Sequence, residues 1–341
     1  MAAKPPSTKA KAWVLFDQIV DHAAPDGEHS NPWFKGEDGQ LYFEPDYQTL
    51  EKLLGVPLYL RAETQSGVPA LALDVWLSYE LRRAGFDSDQ VWPRPAPPRI
   101  LPGPVAALMK SKDKAVRTAV MNYVNSKPSI PNVTSSSASI LGKNYLKQVD
   151  VIMTDWATGP ELLISTKRMD SSYGKNAPNR VEESYGDAKN LRLRHPLAAL
   201  GFVFGLRSDI LQKEFTVAEW LFDLLAKLGL EDDAYHATCL ILMDYADSVA
   251  IANPGEEIPA NGVPEPGGDS DQDEEAPEPV PDSTLDHQID LLPAVKVLRE
   301  QTPTVLGPGR FLAAMTLRVL GATPVNMHKE ARRRRSTPTL V

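Results

Sequence analysis

Apolar residues recur at helical spacing in several stretches of the chain. In residues 11–24 (KAWVLFDQIVDHAA), Trp13, Leu15, Phe16, Ile19 and Val20 fall on one face, which predicts an amphipathic helix. Residues 45–54 (PDYQTLEKLL) predict a short helix in which Asp46 is a helix-start residue. Residues 70–84 (ALALDVWLSYELRRA) predict a strong amphipathic helix ended by Gly85. The proline-rich WPRPAPPR at 92–99 predicts an extended spacer. One long helix is expected over 104–125, then a Ser/Pro/Asn-rich loop over 127–142. Two short apolar runs, 149–153 and 161–167, flank the turn-forming DWATGP and predict a β-hairpin. A helix over 179–191 and a buried strand over 197–206 follow, although ten apolar residues also suit a helix. Further helices are expected at 216–229 and 233–251, and amphipathic segments near 285–299 and 309–320.

Charge divides the chain more sharply than its overall −9 suggests. Residues 254–282 hold ten acids and no Lys or Arg, so the remainder carries a net +1. That tract is too polar to bury itself and is expected to be a disordered linker. Residues 94–149 hold nine basic residues (Arg94, Arg99, Lys110, Lys112, Lys114, Arg117, Lys127, Lys143, Lys147) against the single acid Asp113. Arg332 to Arg335 add four more near the end. Such asymmetry points to a polyanionic partner or, as plainly, to a solvated basic face.

Some chemistries are excluded early. One cysteine, Cys239, permits no internal disulfide and no cysteine-rich zinc site, and its apolar surroundings suit a packing thiol. The six histidines show no metal-ligand spacing. No phosphate-loop, dinucleotide or serine-hydrolase motif is present. Gly307-Pro308-Gly309-Arg310 ahead of a helix reads as a turn rather than a phosphate cradle. No apolar stretch is long enough to span a bilayer and no signal core opens the chain, so a cytoplasmic location without a membrane partner is expected.

The densest candidate chemistry lies in QVDVIMTDWATGPELLISTK, residues 148–167. A two-residue turn at Thr158-Gly159 would oppose Ile152 to Ser165 and Asp150 to Lys167. Ser165 and Lys167 then share one face, because strand side chains alternate. Asp155, beside the turn, and Glu161 fall too far from Lys167, so Asp155 is read as a turn residue and Asp150 as the partner.

This arrangement resembles the PD-(D/E)XK nuclease superfamily, the fold of most type II restriction endonucleases, over roughly residues 146–210. Val149-Asp150 stands for Pro-Asp, and Ser165-Thr166-Lys167 for acid-x-Lys. The proline is missing and Ser165 is uncharged; some members use Ser-x-Lys with the carboxylate displaced to the following helix, here Glu182 or Glu183. Strand, hairpin, helix and buried strand follow in the family order. The resemblance implies an α/β (α+β) fold: a restriction-endonuclease-like mixed sheet flanked by helices, with a helical N-terminal region. The expected divisions are a flexible tail (1–10), a partly basic helical region (11–145), a nuclease-like core (146–253), the acidic linker (254–283), C-terminal helices (284–325) and a basic tail (326–341).

The implied activity is metal-dependent hydrolysis of DNA phosphodiesters, of restriction or phage-defence type. Mg2+ or Mn2+ would be held by Asp150, by Glu183 or Glu182, and by the backbone carbonyl of Thr166. Lys167 would orient or deprotonate the attacking water. Ser165 stands in the acid's place, and Arg168, Lys175 and Arg180 are candidate phosphate contacts. Expected partners are double-stranded DNA and a second copy of the chain, since cutting both strands calls for two sites; a cognate methyltransferase or another defence component is the associated partner class. The alternative is a DNA-binding or assembly protein that keeps the fold without catalysis, which the uncharged Ser165 favours.

Overall fold

The computed structural model describes residues 6–126, 130, 133–134, 138–251 and 281–340. The acidic tract, up to residue 280, lies outside them, as do residues 1–5 of the expected tail. The first element is α1 (Thr8–Ala23), capped by Ser7, so the helix begins inside that tail. Strands β1 (Trp33–Lys35) and β2 (Leu41–Phe43) form a hairpin. Helix α2 (Tyr47–Tyr59) starts as expected at Asp46, whose carboxylate accepts from the Thr49 amide and hydroxyl and from the Tyr79 hydroxyl. Helix α3 (Val68–Arg83) and the short strand β3 (Val91–Trp92) follow.

The long helix expected over 104–125 is two helices, α4 (Gly103–Met109) and α5 (Lys114–Val124). The break falls at Ser111-Lys112-Asp113, where Asp113 caps the new helix through the Ala115 and Val116 amides. Part of the expected loop after it is strand β4 (Ala138–Leu141), paired with β5 (Leu146–Val149). Then come β6 (Val151–Asp155), β7 (Gly159–Met169), α6 (Tyr173–Arg192), β8 (Ala199–Arg207), α7 (Ile210–Lys213) and α8 (Phe215–Leu228). Residues 237–244, expected as helix, are strand β9 (Ala237–Asp244). The chain ends with α9 (Asp282–Asp290), β10 (Lys296–Val297), α10 (Pro308–Ala322), α11 (Lys329–Ser336) and β11 (Thr339–Leu340).

These elements form a mixed six-stranded sheet, in the order β10-β9-β8-β7-β6-β3, covered by helices on both faces. Strands β7, β8 and β9 run parallel at its centre, while β6 and β10 are antiparallel to their neighbours. One face carries Val151, Leu162, Ile164, Val203 and Ile241 against α3 and α10, with α1 and α2 packed on α3. The other carries Leu163, Phe202, Phe204 and Leu240 against α6 and α8. Helix α3 lies so close to β8 that a Cβ on Gly205 would meet Leu73 at 3.0 Å. On the same face Phe311 of α10 leaves room for glycine alone at 201, where a Cβ would sit 2.6 Å from its ring.

The first core cluster runs from Ala12 to Ala331. The N-terminal helices and the last helices thus share one core with the sheet. The basic end is tied to the rest of the chain. Arg334 donates to the carbonyls of His29, Ser30 and Arg83, Arg332 donates to those of Leu320 and Met327, and β11 pairs in parallel with β1.

Candidate active site

The hairpin exists, but its register differs from the expected one. Three residues, 156–158, separate the paired Asp155 and Gly159, and a bulge between Met153 and Thr154 leaves Glu161 as an extra residue on β7. Val151 then faces Ile164 and Ile152 faces Leu163, a shift of two residues from the predicted pairing. Asp155 is a turn residue, as the sequence predicts: its carboxylate accepts from the Ala157 amide and from Gln90. Glu161 is buried at the same end of the hairpin, 2.9 Å from His328.

Asp150 occupies the joint between β5, which pairs with β4, and β6, which pairs with β7. Where the β6 backbone leaves the sheet, its carboxylate replaces the missing partner and accepts from the Thr166 amide at 2.8 Å. The Thr166 hydroxyl points towards α3 and donates to Asp74 at 2.6 Å. Thr166 is therefore held between two carboxylates, with Lys167 next in the chain. Asp74, Asp150, Thr166 and Lys167 all line one cleft of about 500 Å3. It opens at the carboxyl end of β7, the edge at which open α/β sheets generally receive ligands.

Other walls of the cleft come from Lys9 and Trp13 of α1, Thr64 to Gly67 ahead of α3, Trp92 and Pro93, and Arg180 of α6. Trp13 is fixed by Arg99, whose guanidinium carbon lies 3.8 Å from its ring centre and which also pairs with Asp17 at 2.7 Å. Loss of solvent is the main force on both cleft acids. It raises Asp74 well above the usual carboxylate range; the nearby Asp150 charge pushes the same way, while the Thr166 hydroxyl, Lys167 and Lys9 oppose it. Burial likewise raises Asp150, against the pull of Lys167 and the Thr166 amide.

The remaining candidates are distributed differently. Ser165 is buried on the α6 side of β7, beside Tyr235, and does not line the cleft. Glu182 and Glu183 are exposed on α6 outside the cleft, and Glu183 pairs with Arg180 at 3.2 Å. Asp187, one turn further on, is close enough to act on Asp150 but is bound to Lys147 and to the Tyr145 hydroxyl. Arg168 reaches the cleft wall, yet its side chain is 1% exposed and its guanidinium pairs with Asp170 at 3.0 Å, which leaves it buried away from an entering phosphate. Lys175 is exposed on α6 and outside the cleft. Arg180 lines it.

The residue that sequence reasoning missed is Asp74. An acid within the apolar run ALALDVWL was the available signal, and its partner lies 92 positions away. Among the described residues no group of three or more His, Cys, Asp or Glu side chains gathers as a metal cluster. The acids that do converge are two, joined by a threonine. Comparison of the chain with protein-family models, curated proteins and solved structures gave no match.

Proposed function

We propose that this protein is a divalent-cation-dependent nuclease of the PD-(D/E)XK kind, hydrolysing DNA phosphodiesters in the cleft beside β7. The observation that carries the reading is the clamping of Thr166 between the carboxylates of buried Asp74 and half-buried Asp150, with Lys167 adjoining. Two acids with unfavourable like charge at a solvent-open cleft suit a hard cation that keeps several of its own waters. The metal set differs from the expected one: Asp74 replaces Glu182 or Glu183 as the second carboxylate, and the Thr166 carbonyl remains available as an oxygen ligand. A cation bound there supplies positive charge to the phosphoryl oxygens and acidifies water. The order hairpin, helix, parallel strand in β6-β7-α6-β8 supports the family resemblance.

The chain's own residues divide the remaining tasks. Thr166 fixes the two carboxylates with respect to each other through its amide and hydroxyl. Lys167 holds its ammonium beside them, where it orients the attacking water and offsets charge on the phosphate. Arg180 and Lys9 present positive charge to the backbone of an entering strand. Trp13 and Trp92 bound the space in which a sugar or base would rest.

The test is conversion of supercoiled plasmid to nicked or linear form with magnesium. Nicking should vanish with chelator and fall at least about a hundredfold in Asp74→Asn, Asp150→Asn and Lys167→Ala, the scale of losing preorganised charge at a reacting centre. Undiminished nicking in Asp150→Asn would overturn the assignment. A second reading, a DNA-binding protein without catalysis, is favoured by Ser165, which takes the place of the motif's acid and faces away from the cleft. It predicts plasmid retention without cleavage in the same assay.

A further inference from the structure

The helical pair α4–α5 stands apart from both large cores. Its own small cluster consists of Leu101, Ala106 and Val124 with Val105, Met109 and Val120. Val124 is the one buried residue of α5. Arg117 and Val120 are half-buried on the side towards α4, and the rest of the helix is exposed. Met121 and Tyr123, 39% and 58% exposed, lie uncovered on it. A solvated helix would ordinarily carry mixed charge. Here Lys112, Lys114 and Arg117 are opposed only by Asp113, whose carboxylate is occupied in capping the helix.

The outward face has a definite composition. Lys114, Thr118 and Asn122 recur four residues apart and are all exposed. Between them stand Ala115 and Ala119, short enough to let another surface approach the backbone. Eleven residues at about 1.5 Å each make a rod of roughly 16 Å, and a B-form major groove about 12 Å wide admits such a helix. Four residues, 110–113, join the two helices, the spacing of helix-turn-helix units that present their second helix to DNA.

The pair is also fixed in place beside the cleft. Lys110 and Arg94 both bind the carboxylate of Asp89, just ahead of β3. Trp92, Pro93 and Ile100 line the cleft, and α4 begins three residues later. A duplex lying against α5 would therefore meet the protein on the rim of the proposed catalytic centre.

We propose that α5 is a DNA-reading helix that enters the major groove of the duplex substrate, with Lys114 on a phosphate and Thr118 and Asn122 on base edges. This deepens the nuclease reading and rests on it for the identity of the polyanion. The experiment uses the full chain carrying Asp150→Asn, so that cleavage cannot interfere, and follows fluorescence anisotropy of a labelled random-sequence duplex in chelator. Adding Lys114→Ala, Thr118→Ala and Asn122→Ala together should weaken binding at least about tenfold. Lys114→Ala alone should lower the slope of log affinity against log salt by about one. Selection from a random duplex pool should yield a preferred sequence that Asn122→Ala alters. All three positions are exposed, and a matched thermal melt of the variants reports their folding. Binding within twofold of the parent overturns the proposal, as does equal competition by single-stranded DNA or a halved solution mass, which would assign α5 to contact with a second copy. Plasmid nicking by the unsubstituted protein is scored separately. Nicking without α5-dependent binding rejects the reading helix alone, and α5-dependent binding without nicking rejects the catalytic centre alone.

Discussion

Replacing Asp74 by asparagine is expected to stabilise the metal-free protein. The Asp74 carboxylate accepts from the Thr166 hydroxyl at 2.6 Å, and Asp150 accepts from the Thr166 amide at 2.8 Å. Allowing about 3 Å from the amide to the hydroxyl within one residue, the two carboxylates approach to no more than about 8 Å. At an effective dielectric of about 20, their repulsion is about 2 kcal/mol. Asparagine keeps an oxygen for the Thr166 hydroxyl while removing the charge. For a chain of 341 residues, with an unfolding entropy of roughly 2.1 cal/mol/K per residue, that gain corresponds to a rise in Tm of about 3 °C. The sign with pH follows from the direction of the shift. The pKa of Asp74 is raised by burial and by Asp150, so the folded form binds its proton more tightly than the unfolded chain does. Its contribution favours folding below the ordinary carboxylate range and is lost as pH rises through the raised value. The advantage of Asp74→Asn should thus be present at pH 8 and close as the pH falls towards 4. Scanning calorimetry in chelator at both pH values measures it. A variant less stable than the parent at pH 8, or an advantage unchanged at pH 4, would refute the picture of two opposed buried charges. Adding magnesium should then reverse the order, since a ligand at about a hundred times its Kd stabilises the parent by roughly 2.7 kcal/mol.

Three further outcomes are expected. Thr166→Val keeps the shape of the side chain but leaves the Asp74 carboxylate without its donor, so denaturant unfolding should show a loss of about 1–3 kcal/mol and the plasmid assay a loss of nicking. Glu182→Gln and Glu183→Gln alter exposed side chains outside the cleft and should leave nicking within about twofold of the parent, a range near the resolution of RT in free energy. Glu80 is fully buried and its pKa is raised to about 7, by burial against the pull of Arg83. Its stabilising effect should be present below the unfolded carboxylate value and decline as pH rises to about 7, by roughly 3 kcal/mol. The difference in urea midpoint between Glu80→Gln and the parent, followed from pH 4 to 8, should carry that slope.

Much of the helical layer was legible because its residues sit half in water. Helices α1 and α8 announce themselves through one apolar face, and Asp46 through its place ahead of a helical pattern, whereas α3, read as amphipathic, is buried nearly all round. Strand β9 was not legible. Thr238 to Met243 are buried on both sides of a parallel sheet, so they show no alternation, and a continuous apolar run reads equally as a helix. The site was half legible for a related reason. Asp150, Thr166 and Lys167 belong to a local hairpin whose existence a turn sequence reveals, although the turn falls at 156–158, which moves the register, and the bulge at Glu161 restores one residue of that shift. Asp74 reaches them only because α3 packs across β7, and no local pattern encodes that distant contact. Glu182 and Glu183 have the right spacing along the chain, but the winding of α6 turns both of them to solvent.

The two ends of the chain are interlocked. Phe311 and Met315 press on Gly201 in the central strand, Arg334 binds carbonyls near residue 30, and β11 extends the sheet begun by β1. A cut anywhere between 252 and 280 would leave the core under α6 and α8 in the larger piece, but would uncover the opposite face of the sheet and the apolar side of α10 that covers it. The pieces 1–251 and 281–341, made separately, should therefore find each other and rebuild the molecule, so the covalent link across that stretch is dispensable for assembly while both of its flanks are not.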